Sequence, residues 1–325
     1  MELFRGIQNL NRSLPYAVVT IGNFDGVHHG HRKIMSEVIT RARAHQGTAC
    51  VYTFRPHPQE ALRPGNHIQL LSTYDEKLEI LESLGIDIVV EEPFGPEFFS
   101  LSPENFFDEV LKKKFHAVEI VVGHDFAFGK ERQGDIPALA KFCQSAGIQL
   151  TIVPVQKLIQ SGESVPVSSS LIRENLLSCR IEEANHLLGR RFSYRGVVVR
   201  GDQRGRTLGF PTANLKLENK LALPHGVYAT ISRVEINKVI KDYPSVTNVG
   251  TRPTFQPTAS ELPVVVESHL LDVTLDLYGH TLEVQFLKHL RAEKRFTSSD
   301  ELKAQINLDA ELARKTLRQL SDDTI

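Results

Sequence analysis

Five short, near-continuously apolar runs rich in β-branched residues punctuate the first half of the chain: AVVTIG (17–22), TACVYTF (48–54), DIVV (87–90), VEIVVG (118–123) and QLTIVPV (149–155). A strand with one solvated face would alternate polar and apolar residues. These runs do not, so helices must cover both faces of the sheet they form. Helix signals fill the gaps. Ile34, Val38 and Ala42 recur at helical spacing after Gly30, and Thr73 with Glu76 has capping-box spacing ahead of Leu78, Leu81 and Leu84. Ser102-Pro103 and Asp135 each open a further helix. Such alternation predicts a doubly wound α/β domain, whose ligands sit outside the carboxyl ends of the strands.

From about Leu188 the texture changes. FSYRGVVVRG, HGVYATISRVEI, YPSVTNVG, LPVVVESHLLDV and HTLEVQFLKHL read as strands separated by turns containing Gly, Pro and Asn. Their close succession predicts a small antiparallel barrel or sandwich. The chain closes with Ser298 and Glu301 in capping-box spacing, then Leu302, Ile306, Ala310, Ala313, Leu317 and Leu320 on one stripe. That is an amphipathic helix suited to covering the barrel. A length of 325 residues fits two domains of ~100–200 residues. The joint falls near 185–192, which divides the chain into 1–186 and 187–325.

Composition narrows the function. With 38 Lys+Arg against 39 Asp+Glu, the chain lacks the basic excess that general nucleic-acid or membrane-surface binding requires. No apolar run is long enough for a transmembrane helix, and MELFRGIQNLNRSLPYAVVT lacks a signal peptide's apolar stretch and cleavage site. Cys50, Cys143 and Cys179 are odd in number and far apart. They support neither a disulfide framework nor a zinc site, so a reducing cytoplasm is the expected compartment.

TIGNFDGVHHGHRKIM (20–35) carries the strongest local signal. A strand ends at Gly22, a tight loop with Phe24 and Asp25 follows, and a helix begins near Gly30. His28 and His31 flank that glycine and can both face the helix N-terminus, where oriented N–H groups and the dipole attract anions. A glycine there lets a triphosphate approach the backbone. The alternative is a surface turn with incidental histidines, which the strand–glycine–helix context outweighs. VSSSLIR (167–173) opens another helix with Ser168, Ser169 and Ser170, with Arg173 a turn further in. Hydroxyl caps are usually structural. An arginine following them on the same end suits a phosphate clamp. TFRPHP (53–58) and GHDFAFG (123–129) lie near other strand ends. Pro56 and Pro58 stiffen a loop able to hold a flat ring, with His57 as a polar contact. Asp125 can do likewise, while Phe126 and Phe128 serve equally well as core.

In the second half, VVVRGDQRGRTLGFPTANL (197–215) places glycines at 201, 205 and 209, where they can cradle phosphates. Glycine-rich turns are common, so this signal alone is weak. Thr212 and Asn214 are two apart and point to one side of an extended segment. Their hard oxygens suit Mg²⁺ completed by water and ATP phosphates, or they satisfy nearby backbone in a turn. In VVVESHLLD (264–272), alternation puts Val265, Glu267 and His269 on one face and Val266, Ser268 and Leu270 on the other. A carboxylate in so apolar a strand is costly to bury unless used or paired. It is therefore a general base or a structural ion pair.

Taken together, the motifs resemble the prokaryotic bifunctional riboflavin kinase/FAD synthetase family, and the likeness spans nearly all of the chain. GNFDGVHHGH is similar to its adenylyltransferase histidine motif, VSSSLIR to its second phosphate motif, and GFPTAN to the riboflavin kinase signature. PHGVYA, NVGTRPTF, DLYG and LRAEKRF are further matches. The resemblance implies a Rossmann-like nucleotidyltransferase domain followed by a riboflavin kinase-like barrel. It implies that Gly22, Phe24, Asp25, His28, Gly30, His31, Ser168, Ser169, Ser170 and Arg173 bind ATP for adenylylation, and that Pro56, His57, Pro58 and Asp125 line the FMN site. For the kinase, it implies ATP contacts from Gly201, Gly205, Arg206, Gly209 and Pro211, and Mg²⁺ ligation by Thr212 and Asn214. Glu267 becomes the general base, and Arg291 reaches the flavin unless it pairs with Glu293. Arg252 and the Pro253 turn are read as structural.

Substrates would be ATP, riboflavin and FMN, with flavin-requiring apoproteins as eventual partners, and neither nucleic acid nor membrane. Three positions depart from the family pattern: Ser170 for a usual Thr, Ala127 for a usual Arg, and Val273 for a usual aromatic. The competing readings are a kinase with an inactive adenylyl domain and a flavin-binding regulator without turnover.

Overall fold

A computed structural model describes residues 1–63, 68–201, 208–217, 220–236, 239–251 and 264–322. They form two compact units, Met1–Ser169 and Ser170–Ile325.

The first unit is built on β1 (Glu2–Arg5), β2 (Ala17–Ile21), β3 (Thr48–Arg55), β4 (Ile88–Pro93), β5 (Ala117–Gly123) and β6 (Gln149–Val153). All pairs are parallel, in the order β1-β4-β3-β2-β5-β6. Alternate residues feed two cores. Val19, Ile21, Tyr52, Val90 and Val122 join Phe106, Phe115 and Phe128 on one face. Val18, Val51, Val89 and Val121 meet Met35, Val38 and Ala42 of the helix His29–Ala44 on the other. Burial on both faces is why these strands read as unbroken apolar runs.

The expected helices form as well. Glu76 N–H donates to Thr73 Oγ1 (3.1 Å) and Thr73 N–H to the Glu76 carboxylate (2.9 Å), while Asp135 accepts from Ala138 N–H (2.9 Å). After Ser102-Pro103 the helix widens to a π-helical stretch, Phe106–Lys114. Two features were not expected: the short edge strand β1, paired from Glu2 with Ile88, and the hairpin β7 (Lys157–Gln160) with β8 (Glu163–Pro166). The strand order reverses between β2 and β5. The loops leaving their carboxyl ends therefore part and open a crevice there.

The second unit contains β9 (Ser193–Val199), β10 (Ala213–Leu217), β11 (Gly226–Ile236), β12 (Val239–Thr251), β13 (Val264–Leu270) and β14 (Thr281–Arg291). They form a closed antiparallel barrel, β10-β13-β12-β11-β14-β9, because β9 pairs with both β14 and β10. Outside, Val227, Ala229, Val246 and Leu287 pack with Ala310 and Ala313 of the helix Ser299–Asp322. On the opposite, inward face lie five fully buried hydroxyls, Thr230, Ser232, Ser245, Thr247 and Ser268, bonded to one another at 2.7–3.0 Å. The Ser298–Glu301 box closes in one direction only. Glu301 N–H donates to Ser298 Oγ (3.2 Å), but the Glu301 carboxylate accepts from the N–H and hydroxyl of Thr297. The helix Ile181–Leu188 is fastened to the barrel, with Asn185 donating to the Phe286 carbonyl (2.8 Å) and accepting from Phe192 N–H (2.7 Å). The structural division thus precedes the change of texture near residue 187 by two helices.

Candidate active sites

In the first unit the loop leaving β2 enters the crevice at the switch of strand order. His28 caps the helix His29–Ala44, its Nδ1 accepting from the His31 backbone N–H (3.4 Å), and the two imidazoles stack with centroids 3.6 Å apart. A Cβ on Gly30 would lie 3.2 Å from the His28 ring and 3.6 Å from the Val167 carbonyl. Glycine therefore gives the His28 ring its place against this helix end, with the Val167 carbonyl in ordinary contact beside it. Ser169 Oγ completes the link by donating to the Asp25 carbonyl (3.1 Å). His31 is partly buried, and its enclosed Nδ1 has no hydrogen-bond partner among the described residues. Burial, then neighbouring His28 and Lys77, hold its imidazole well below the usual histidine range. A neutral ring with an unfilled nitrogen at a helix N-terminus is suited to hydrogen-bond an anion.

Phe24 and Asp25 shape this loop from within. Phe24 is buried and meets His31 edge-on at 5.3 Å, and a Cβ on Gly22 would come within 2.8 Å of its ring. The Asp25 carboxylate accepts from Leu71 N–H (3.0 Å) and Ser72 N–H (3.3 Å). Sequence reasoning missed Lys77. Its buried ammonium donates to Thr53 Oγ1 (2.9 Å) and to the Asn23 carbonyl (3.4 Å). Burial pushes it down to about 8, against the pull of Glu91 and Asp25. A cation four residues before Leu81, on the stripe facing the sheet, was the available signal.

The candidate flavin loop follows β3. His57 is buried, its N–H donating to the Tyr74 hydroxyl (2.8 Å) and its Nδ1 capping Gln59 N–H (3.2 Å). Pro56 is exposed and Pro58 partly buried. Arg55, also unanticipated, lies over the Tyr74 ring at 4.6 Å and 3.6 Å from the Glu91 carboxylate. Asp125 is exposed just past β5, Ala127 is partly buried, and Phe128 belongs to the core with Phe126 stacked on it. Ser168 and Ser169 are partly buried in the first unit, whereas Ser170 (exposed) and Arg173 (partly buried) fall in the second.

On the barrel, strand register brings the second set together. Asn214 of β10 pairs with Glu267 of β13, which pairs in turn with Asn248 of β12. Directly opposed residues share a face, so these three side chains are neighbours although they are far apart in sequence. Val266, Ser268 and Leu270 are the buried face of β13, while Glu267 is only partly buried. Glu267 stands on the face turned away from the core, so, contrary to the expectation from its apolar strand, it does not carry the cost of a buried carboxylate. Asn214 is buried, and a Cβ on Gly201 would come within 2.6 Å of its amide. Thr212 is partly buried, and Gly209 takes φ 91°. The Pro211 carbonyl accepts from His269 Nδ1 (2.8 Å), a contact the sequence reading did not foresee. Gly205, Arg206, Arg252 and Pro253 lie outside the described residues. Arg291 is held by the buried Asp309 of the last helix, with Nε and Nη2 at 3.0 and 2.7 Å. Glu293 instead faces Asn248 (3.4 Å) and His225 (3.8 Å).

A histidine-capped helix end on a doubly wound sheet, in one chain with a barrel bearing a carboxylate opposite a buried amide, is the arrangement of a two-domain group-transfer enzyme. The FAD synthetase family model matches residues 10–170 and the riboflavin kinase family model residues 188–317. The bifunctional riboflavin kinase/FMN adenylyltransferase of Escherichia coli (strain K12) is 39% identical over 317 residues, covering 97% of each chain. Its Bacillus subtilis (strain 168) counterpart is 35% identical, covering 91% of each. The chain belongs to the bifunctional riboflavin kinase/FMN adenylyltransferase family. A solved Streptococcus pneumoniae structure described as a macrolide-efflux protein superposes with a TM-score of 0.83 at 30% identity, covering 96% of this chain and 98% of that one. Among the described residues, no helix is long and apolar enough to cross a membrane.

Proposed function

We propose that this chain makes FAD from riboflavin by two ATP-dependent transfers, with residues 1–186 serving adenylylation and 187–325 the kinase reaction. The observation that carries the kinase half is the register setting Asn214 opposite Glu267. The riboflavin 5′-hydroxyl is an alcohol about as weakly acidic as water, pKa ~15.7. As its oxygen attacks the γ-phosphorus of ATP, Glu267 accepts its proton, the β–γ bridging bond breaks, and ADP leaves. Thr212 and Asn214 offer neutral oxygens, and among the described residues no cluster of three or more His, Cys, Asp or Glu could hold a metal. That donor set fits Mg²⁺, which binds few protein ligands and keeps waters and substrate phosphates; bound there, it would neutralise phosphate charge. Gly201 leaves room for the Asn214 amide, and nothing lies within 4 Å of where a Cβ on Gly209 would stand, so nucleotide can approach there.

The second transfer needs no base. The second pKa of a phosphate monoester such as FMN is ~6, so it is mostly dianionic at neutral pH. One of its oxygens attacks the α-phosphorus of the second ATP, and pyrophosphate departs. His28, His31, Ser168, Ser169 and the helix N-terminus hold the polyphosphate, and the family motif adds Ser170 and Arg173 to the ATP-binding set. Lys77 fixes the loop from beneath. Pro56, His57, Pro58 and Asp125 border the flavin, with Arg55 beside them. The products suit delivery to flavin-requiring apoproteins in the cytoplasm.

The test is chromatography of flavins formed from riboflavin, ATP and Mg²⁺ by the pure protein. FMN should rise first and FAD follow. FMN alone would refute the adenylyl half, and unchanged riboflavin would refute both.

A further inference from the structure

We propose that His269 is a positioning residue of the phosphoryl-transfer site: its ring nitrogen holds the Pro211 carbonyl and so sets where Thr212 stands. The inference rests on the reading of Thr212 and Asn214 as ligands for nucleotide and metal. β10 pairs with β13 only from Ala213, opposite Ser268, onward. One residue earlier, Thr212 has no place in that ladder, and Pro211 carries no N–H with which to extend it. The attachment is continued by a side chain instead. His269, adjacent to Ser268, reaches Pro211 O at 2.8 Å and meets the Phe210 ring edge-on at 5.5 Å. Thr212 is therefore pinned from both sides, by Ala213 in the ladder and by Pro211 through His269.

The same strand carries Glu267, two residues from His269 and on the same face. Base and oxygen ligands are thus referenced to one element, β13. Misplacement of about 1 Å in a site of this kind can cost ~100-fold in rate, which gives the contact its functional weight. A carbonyl acceptor requires the ring proton on Nδ1, and the amide of an asparagine can place a donor in nearly the same position.

The experiment compares His269→Ala, His269→Phe and His269→Asn in the full chain. It reads binding of Mg²⁺ with a non-hydrolysable ATP analogue by calorimetry in the presence of riboflavin, kinase kcat and KM, and FAD formation from supplied FMN. For the Ala and Phe variants we expect nucleotide binding at the kinase site to weaken by about tenfold, with kinase kcat/KM falling about 100-fold. FAD formation from FMN should be unchanged. Asn should recover most of both kinase losses. Wild-type nucleotide binding and kinase kinetics in the Ala or Phe variant would overturn the proposal. Equal loss in all three, Asn included, or loss of both activities together would also overturn it, by making His269 merely structural. Thr212→Ala and Asn214→Ala, run in parallel, separate the two levels. If they leave the kinase intact, the ligand reading itself fails; if they abolish it while His269→Ala does nothing, only the positioning role fails.

Discussion

The two candidate sites are assembled in opposite ways. The histidine segment of the first unit is local: β2, its loop and the following helix supply Gly22 through His31 in one stretch, joined from far along the chain by Ser169 at the Asp25 carbonyl, and the parallel sheet opens a crevice where they emerge. The barrel site is non-local. Gly201, Asn214, Asn248 and Glu267 meet only because antiparallel register aligns them. On the proposed reading the chemistry differs in parallel. A phosphate nucleophile needs donors and position, which a helix end supplies. An alcohol needs a proton acceptor, which a carboxylate on an outward strand face supplies at little desolvation cost.

The largest effect that sharpens this contrast is expected at His31. Replacement by Ala removes a group aimed at developing phosphate charge and should slow FAD formation from FMN by about 10²–10³-fold, with FMN production from riboflavin unchanged. Product analysis with each substrate checks it, and equal loss of both activities would merge the sites. Arg291→Met comes next. It leaves Asp309 buried without its cation, and stability should fall by about 3 kcal/mol in urea unfolding, with most of it restored by adding Asp309→Leu. Weaker riboflavin binding with no change in stability would instead make Arg291 the flavin contact expected from the motif.

Smaller still is Gly201→Ala, whose Cβ must displace the Asn214 amide. Kinase KM for ATP should rise about tenfold, equivalent to ~1.4 kcal/mol, while adenylylation is untouched. The smallest effect is a pH trend at Lys77. Its ordinary value is 10.5 and burial lowers it to about 8. Between these values the unfolded chain binds the extra proton, so native stability rises with pH. Wild type should gain on Lys77→Met from about pH 8 to 10, and a constant difference in unfolding free energy would argue that Lys77 is not buried as a cation.

Most of the fold was legible because its signals are local. Doubly covered parallel strands announce themselves as β-branched runs, and capping residues mark helix starts within a turn. β1 has only four residues and the β7–β8 hairpin is short and polar, so neither generates a period. The histidine motif was legible for the same reason as the strands. Lys77 could have been found as a charge on an apolar stripe, but its reach to Asn23 and Thr53 is tertiary. The strand face of Glu267 was read correctly from alternation. Which face the barrel buries was not, because that depends on closure and on the helix Ser299–Asp322. The Arg291–Asp309 clasp and the His269–Pro211 contact join residues whose proximity only the folded barrel creates.

The separation of the two chemistries is tested most directly with Glu267→Gln, fed in turn with riboflavin and with FMN, each with ATP and Mg²⁺. Loss of a general base should reduce FMN formation by about 10²–10⁴-fold, while FMN is converted to FAD at the wild-type rate. FMN made from riboflavin at an undiminished rate, or a folded variant unable to adenylylate supplied FMN, would contradict the account.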